Sequence, residues 1–334
     1  MATAPTIQST NAVASSPTTY RIYYLALLLG MALTFSSLLL ITIPEGPKFG
    51  LLKGVTRRVA EVHHRITQDT RPIDVAFLGS SHTWTAISDA QIQRELVSLG
   101  LNVRVTNLAS TWMGRDLHLF YLKQLLTHKH PRLVVIEMTD HEFAFGHDLL
   151  PYVGELSDLF CCKPYLDPTF PSHFALFLKH KVNTTLELAR HPWDETKPSE
   201  APSEFGWLAV AKNWPQAPAN DQAPNLRQML KYRAYSLTSA YGRNVVEQMA
   251  ALAKQHHAKI AFIYLPVYEY ALREPASGFD FYESKGQILT IPKEISGNSK
   301  YWFDESHINK VGADAIAPKI AGSIHKILTS DTQR

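Results

Sequence analysis

The sequence predicts an α/β fold: a doubly wound parallel sheet with one N-terminal transmembrane helix and an insertion in the middle of the chain. Three observations lead to this prediction. Apolar strands alternate with helical segments from residue 74 onward, an uncharged apolar run covers residues 22–43, and a stretch rich in proline and tryptophan interrupts the alternation. Because parallel strands need crossover connections, such alternation is typical of a sheet covered by helices on both faces.

The composition excludes some functions. The 334 residues are 45% hydrophobic and 19% charged, which is enough apolar material for a sizeable core. The net charge is only +3, and no run of lysine and arginine is long enough to follow a phosphate backbone, so we predict no nucleic-acid partner. The only cysteines, Cys161 and Cys162, are adjacent. Neighbouring cysteines rarely bridge each other, so we expect no disulfide framework.

The N-terminal region predicts a membrane anchor. Residues 1–21 are mostly small and polar without periodicity, which is typical of a disordered tail. Residues 22–43 carry no charge, and as a helix they span about 33 Å, which matches the hydrocarbon core of a bilayer. A cleaved signal peptide is disfavoured because the run is long and the segment around "ITIPEGPK" offers no small-residue cleavage site. A buried core helix is the alternative.

Residues 44–70 are interpreted as a juxtamembrane amphipathic helix. Apolar residues recur there at helical spacing: Leu52, Val55, Val59, Val62 and Ile66. Basic residues in the same segment would place the following domain in the cytoplasm by the positive-inside rule. The same residues would instead bind lipid headgroups if the helix lies on the membrane surface. Charge alone therefore leaves the orientation open.

Residues 71–334 carry the alternating pattern. The predicted strands cover residues 74–79, 102–109, 132–139 and 259–267. The predicted helices cover residues 89–100, 114–128, 245–258 and 310–328. Ligands of doubly wound sheets gather at the carboxyl ends of the strands, and the turn Gly79-Ser80-Ser81 lies at such an end.

An insertion is predicted at residues 145–235. Six of the twenty prolines lie between Pro192 and Pro224, together with Trp193, Trp207 and Trp214. Tryptophan is costly to leave in water, so the stretch is interpreted as an ordered loop. It is either a packing lid or a substrate-binding flap whose aromatic rings stack on sugars.

Two stretches carry candidate chemistry. "VAFLGSSHTW" ends a buried strand by presenting Ser80 and Ser81, and "FDESHINKVG" near the C-terminus places Asp304 three residues before His307. An aspartate can hold one ring nitrogen of a histidine while the other accepts a proton from serine, which is a weak nucleophile until a base acts on it. Because His82 adjoins Ser81 in the chain, it does not easily face it, and we assign it to packing.

These stretches resemble the first and last blocks of the SGNH/GDSL hydrolase superfamily. Gly79-Ser80-Ser81 matches the family's Gly-Asp-Ser turn with Ser in place of Asp, and Asp304 to Gly312 matches its closing Asp-x-x-His block. The second block resembles "VTNLASTWMGRDL", with Gly114 as its glycine. The third block departs from the family because "VVIEMTDHEF" contains no asparagine. The resemblance implies an SGNH-like, flavodoxin-like three-layer domain.

The resemblance also implies roles. Ser81 would be the nucleophile, His307 the base and Asp304 the residue that orients His307. Oxyanion and substrate contacts would come from Gly114, helped by Asn107 or Thr139. No cofactor is implied. The stretch "TDHEFAFGHD" contains metal-ligating residue types but no compact zinc motif, so no metal is predicted either.

A membrane helix together with these blocks resembles membrane-anchored acyltransferases of cell-envelope polymers, including the D-alanyl transfer protein and exopolysaccharide O-acetyltransferases. The predicted function is transfer of an acyl group, typically acetyl, to or from a polysaccharide through an acyl-enzyme. The implied partners are the membrane, a multi-pass O-acyltransferase and a glycan acceptor. The implied location is the cytoplasmic membrane, with a periplasmic domain. A membrane-tethered esterase or deacetylase, and a non-catalytic scaffold, are the alternatives.

Overall fold

The computed structural model describes residues 17–112, 114–139, 142–193, 206–214, 240–268 and 279–330. The chain divides into two compact units, Met1–Ile43 and Pro44–Arg334. The first contains helix α1 (Pro17–Leu40). In the portion of the chain that the structure describes, no helix combines the length and apolarity needed to cross a bilayer, so the predicted transmembrane anchor at residues 22–43 is not confirmed. Most of the predicted tail at residues 1–21 lies outside the described residues.

The second unit contains a sheet and the remaining helices. Its described strands are β1 (Val75–Leu78), β2 (Val105–Asn107), β3 (Leu133–Met138), β4 (Lys259–Tyr264) and β5 (Gln287–Thr290). Its described helices are α2 (Glu45–Gly50), α3 (Arg57–Thr67), α4 (Ser81–Ala86), α5 (Asp89–Ser98), α6 (Arg115–His128), α7 (Leu150–Val153), α8 (Leu156–Phe160), α9 (Phe170–Arg190), α10 (Ala240–Gln255), α11 (Phe279–Glu283), α12 (Lys293–Ser296) and α13 (Lys310–Thr329).

The five strands form one parallel sheet in the order β2-β1-β3-β4-β5. Strand β1 pairs with β2 on one side and with β3 on the other, so the strand order reverses at β1. Such a switch point opens a crevice at the carboxyl ends of β1 and β3. In this chain the residues that follow β1 and the end of β3 therefore line one rim of the sheet.

Helices cover both faces of the sheet, and each face has its own apolar core. Alternate strand residues supply the two cores, because successive side chains of a strand point to opposite faces. Ala76, Leu78, Val134 and Ile136 pack against helices α3, α6 and α10. On the other face, helices α5 and α13 pack against Val75, Phe77, Leu133, Val135 and Ile263. The prediction of a parallel α/β sheet in a three-layer arrangement is confirmed.

The predicted elements differ from the observed ones mainly at their ends. Strand β2 has three residues rather than eight, and α10 begins five residues before its predicted start. Helix α13 continues to Thr329 with Pro318 inside it. Strand β5 is absent from the prediction because only one of its four residues, Leu289, is buried, which makes a short apolar signal.

The segment 44–70 is not one continuous helix. It contains α2, a 3₁₀ turn (Gly54–Thr56) and α3. The apolar residues Val59, Val62 and Ile66 are fully buried in the core of the domain rather than available to a membrane surface. Packing within the domain therefore accounts for the amphipathic pattern that was interpreted as juxtamembrane.

The predicted insertion at residues 145–235 begins inside the core. Leu149, Leu150 and Val153 are buried with the α6 residues, so helices α7 to α9 belong to the domain. Cys161 and Cys162 form a disulfide with each other. The expectation that these adjacent cysteines would not bridge was wrong.

Candidate active site

Ser81 stands at the carboxyl end of the interior strand β1. The strand ends at Leu78, the chain turns through Gly79 and Ser80, and Ser81 is the first residue of α4. The Ser80 side chain caps this helix by accepting a hydrogen bond from the backbone N–H of His82 at 3.2 Å. Serine is favoured at that position because its hydroxyl satisfies a helix N–H that has no partner within the helix.

Gly79 is required by close packing at the turn. A Cβ atom at this position would lie 2.2 Å from the Thr83 hydroxyl oxygen and 2.6 Å from Oε2 of Glu137. Both atoms belong to well-buried side chains, so neither can move aside easily. The turn therefore combines a glycine that admits the neighbouring polar atoms with a serine that starts the helix.

His307 lies within hydrogen-bond distance of Ser81. Its Nε2 atom is 2.8 Å from Oγ of Ser81, although the two residues are 226 positions apart in the sequence. A short loop presents the ring: Trp302 and Ile308 form an antiparallel bridge, and the Phe303 N–H donates to the His307 carbonyl at 3.1 Å. Asn309 then caps α13 by accepting the Gly312 N–H at 3.0 Å.

Asp304 holds the other side of the His307 ring. Both carboxylate oxygens lie 2.9 Å from Nδ1 of His307, and Oδ1 also accepts the backbone N–H groups of Ser306 and His307 at 2.8 Å each. Partial burial acts to raise the pKa of Asp304, but the hydrogen bonds from Ser306 and His307 outweigh it and lower the pKa. An ionised Asp304 favours the tautomer with the proton on Nδ1, which leaves Nε2 to accept the Ser81 proton.

Two further rings contact His307. Phe303 stacks on it with centroids 5.3 Å apart and an interplanar angle of 18°, while His82 approaches edge-on at 5.2 Å and 81°. Burial lowers the pKa of His82; Glu137 opposes this shift and His307 adds to it. His82 is therefore a neutral neighbour at neutral pH, in agreement with the packing role assigned from the sequence.

Glu137 is a buried carboxylate beside the turn, and sequence reasoning missed its role. It is 1% exposed, near the end of β3, and accepts hydrogen bonds from the Ser80 N–H, the Ser80 hydroxyl and the Thr83 hydroxyl at 2.7, 2.9 and 2.6 Å. Its backbone carbonyl accepts a hydrogen bond from the Arg115 side chain. The available signal was a single acidic residue inside the apolar strand "LVVIEM".

The predicted oxyanion contacts have different outcomes. Asn107 is fully buried and donates its side-chain amide protons to the carbonyls of Thr83 and Ile87 at 2.9 Å each. The prediction that Asn107 binds an oxyanion was therefore wrong, because those protons already hold the end of α4. Thr139 directly follows β3 and is half-buried, and its predicted role stays a prediction.

Gly114 immediately precedes α6 and lies under the backbone of His147. Its φ of +159° and the 2.4 Å that would separate an added Cβ from the His147 Cβ both require glycine here. The close approach explains the glycine by packing, and its predicted contact with an oxyanion stays a prediction.

The described part of the tryptophan-rich stretch, residues 206–214, crosses the site region. The Trp207 indole donates to the Thr85 carbonyl at 2.7 Å, and the Leu208 N–H donates to the Trp84 carbonyl at 3.0 Å. Further on, the Val210 carbonyl accepts the Lys310 N–H at 2.8 Å, next to the cap of α13. This segment therefore ties the helix that carries Ser81 to the loop that carries His307. The flanking residues, including most of the prolines, lie outside the described residues.

The residues of "TDHEFAFGHD" that are described have other partners. Glu142 pairs with the buried Arg115 at 2.6 Å, and the His147 ring contacts the Thr111 carbonyl at 2.8 Å. Asp140 and His141 lie outside the described residues. Within the described ranges, no group of three or more His, Cys, Asp or Glu residues is arranged to hold a metal ion.

Comparisons with known proteins identify no family for this chain. Neither the models of protein families nor the curated proteins contain a match to this chain. Among solved structures, a proposed acylhydrolase from Bacteroides fragilis NCTC 9343 is similar to this chain at 14% identity. The alignment covers 81% of this chain and 96% of that one, with a TM-score of 0.36. This TM-score is too low for the similarity to assign a fold or a function to this chain.

Proposed function

We propose that the chain is a serine esterase that forms an acyl-enzyme on Ser81. The observation that supports this is the contact series Ser81 Oγ, His307 Nε2, His307 Nδ1 and Asp304, with 2.8 and 2.9 Å between the contacting atoms. A serine needs an adjacent base to become a nucleophile, and the base needs a third group to orient it. All three groups meet at the switch point of the sheet, where ligands of such folds bind.

The reaction proceeds in two halves. The Ser81 oxygen attacks the carbonyl carbon of an ester while Nε2 of His307 takes its proton, and the same nitrogen then gives that proton to the departing alcohol. Water attacks the acyl-Ser81 ester with His307 as the base, and the carboxylic acid leaves as the proton returns to Ser81. Asp304 stabilises the charge that forms on His307 in each half.

Transfer of the acyl group to a sugar hydroxyl uses the same acyl-enzyme, with the acceptor in place of water. A polysaccharide acceptor, a membrane O-acyltransferase partner and a periplasmic domain would extend this proposal. The transferase form requires an acyl-oligosaccharide product when acyl-enzyme and oligosaccharide are combined. The esterase form requires free acid alone.

Hydrolysis of p-nitrophenyl acetate by the full-length chain tests the proposal. We expect steady turnover by the wild type and its loss in Ser81→Ala, because no other group would carry the acyl chain. Ser98→Ala, which removes an exposed hydroxyl on α5, is the matched control and should hydrolyse the ester at the wild-type rate. Equal turnover by wild type and Ser81→Ala contradicts the role of Ser81, and no turnover by either contradicts the proposal in favour of a non-catalytic scaffold.

A further inference from the structure

The turn that carries Ser81 has no acidic residue of its own, yet a carboxylate lies beside it. Strands β1 and β3 pair with Leu78 opposite Ile136, so the next residue of β3, Glu137, is level with Gly79. The side chain of Glu137 is 1% exposed and reaches the turn from the neighbouring strand. The acidic group therefore arrives through the sheet register and not through the local sequence of the turn.

The Glu137 carboxylate binds the chain on both sides of Ser81. On the N-terminal side of Ser81, Ser80 donates its backbone N–H to Oε2 of Glu137 at 2.7 Å and its hydroxyl to both carboxylate oxygens at 2.9 Å. On the C-terminal side, Thr83 donates its hydroxyl to Oε2 at 2.6 Å. These short contacts on both sides of Ser81 restrict how it can move relative to the sheet.

The same carboxylate also faces the second imidazole. Oε1 of Glu137 is 3.6 Å from Nδ1 of His82, and the His82 ring lies edge-on against His307. Glu137 thus contacts the turn that holds the nucleophile and the ring that packs against the base. No described contact joins Glu137 to Ser81 Oγ or to the ring nitrogens of His307, so its effect on the reacting atoms is indirect.

Burial of a carboxylate costs more free energy than burial of an apolar side chain of the same volume. Removing it from water carries a desolvation penalty, and apolar residues of similar volume often pack as well or better. The burial of this carboxyl group among several hydrogen-bond donors is therefore better explained by the geometry that the hydrogen bonds impose than by a gain in stability.

We propose that Glu137 is a positioning residue that fixes the Ser80-Ser81 turn so that Ser81 Oγ stays within reach of His307. This inference rests on the proposed function, because it concerns the same Ser81 acyl-enzyme. We expect the loss of Glu137 to lower the rate of the chemical step and to leave substrate binding unchanged. A misplacement of about 1 Å at a reacting atom can cost about 100-fold in rate.

Inactivation by a fluorophosphonate ester separates the two effects, since it reports a maximal rate of Ser81 modification and a half-saturating concentration. We expect Glu137→Gln to lower the maximal rate about 100-fold with an unchanged half-saturating concentration, because an amide N–H₂ then faces groups that donate. Thr83→Val removes one donor at nearly constant volume and should lower the rate about tenfold, whereas Thr83→Ser keeps the hydroxyl and should restore it.

Asp74→Asn is the matched control. Asp74 precedes strand β1, at the end opposite to the Ser81 turn, and its side chain accepts the Arg104 N–H at 2.7 Å. Its replacement should therefore leave the inactivation rate at the wild-type value. If Glu137→Gln does not fold, the inactivation rates of Thr83→Val and Thr83→Ser decide whether the contacts of Glu137 position the turn. Wild-type rates in Glu137→Gln or Thr83→Val overturn the inference, as does a Thr83→Ser variant as slow as Thr83→Val. An unmodified wild type overturns the proposed function instead.

Discussion

Two histidine–carboxylate pairs lie beside Ser81, and they differ in almost every respect. Asp304 and His307 are three residues apart, bonded at 2.9 Å, with side chains 41% and 22% exposed. Glu137 and His82 lie on different elements, 3.6 Å apart, with the carboxylate 1% exposed. Only the first pair presents a ring nitrogen to Ser81 Oγ. Residue type alone therefore does not distinguish the two pairs. Contact geometry does, and it supports Asp304 and His307 as the pair that acts in the proposed reaction.

The largest expected difference between the pairs comes from removing each imidazole. His307→Ala should lower ester hydrolysis about 10⁶-fold, since Ser81 then has no base. His82→Phe keeps an aromatic edge against His307 and should lose less than tenfold, well below the roughly 100-fold minimum for losing a proton-transfer group. Steady-state kinetics of both variants check this. A larger loss in His82→Phe than in His307→Ala would reverse the assignment of the pairs.

Removal of the charge from Asp304 should have the next largest effect. In Asp304→Asn the amide donates to Nδ1 of His307, which favours the tautomer that cannot accept the Ser81 proton, and the rate should fall about 10²- to 10⁴-fold. Asp314→Asn, which affects an exposed carboxylate paired with Lys310 on α13, is the control and should retain the rate. The comparison loses its basis if the two variants have equal rates of ester hydrolysis.

Gly79→Ala tests the packing between the turn and Glu137. The added Cβ would lie 2.2 Å from the Thr83 hydroxyl oxygen, so we expect the free energy of unfolding to fall by about 1–3 kcal/mol. Gly322→Ala is the control: no atom lies within 4 Å of its added Cβ within the described chain, and helix propensity favours alanine by about 1 kcal/mol. Urea denaturation measures both. A fully stable Gly79→Ala would show that the turn has room to adjust.

The smallest expected effect is on the pH dependence of stability. Burial lowers the pKa of His82, Glu137 and Asp304 oppose the shift, and His307 adds to it. Below about pH 6.5, His82 therefore binds a proton in the unfolded chain, whereas in the folded chain it becomes protonated only at a lower pH. The stability that His82 contributes is present above that pH and is lost as the pH falls. His82→Phe should lose less stability than wild type between pH 7 and pH 5, measured by urea denaturation.

Much of the fold follows from local patterns. Continuous apolar strands such as Leu133–Met138 and capped helices such as Asp89–Ser98 have strong signals, and both lie within a residue or two of their predicted positions. Strand β5 and the short helices near it have weak signals, because their stability comes from packing against the finished sheet. The apolar face of α3 shows the limit of such patterns, since a membrane and a protein core select the same residues.

The residues of the candidate site also differ in whether the sequence alone identifies them. Asp304 and His307 are recognisable because their spacing is local and the residue types suit one chemistry. Glu137 and Asn107 are not, because their roles depend on which backbone groups lie opposite them once strands β1, β2 and β3 pair. The family resemblance implies that Asn107 or Thr139 helps to bind an oxyanion, whereas the folded chain directs the Asn107 amide to the carbonyls of Thr83 and Ile87.

Mapping of the fluorophosphonate adduct by mass spectrometry tests the proposed chemistry most directly. We expect a single adduct on Ser81 of the full-length wild-type chain, and none in His307→Ala under the same exposure. Peptides covering Ser80 and Ser81 must be fragmented between the two residues to assign the site. An adduct on Ser80, an adduct that persists in His307→Ala, or an unmodified wild type would contradict the account.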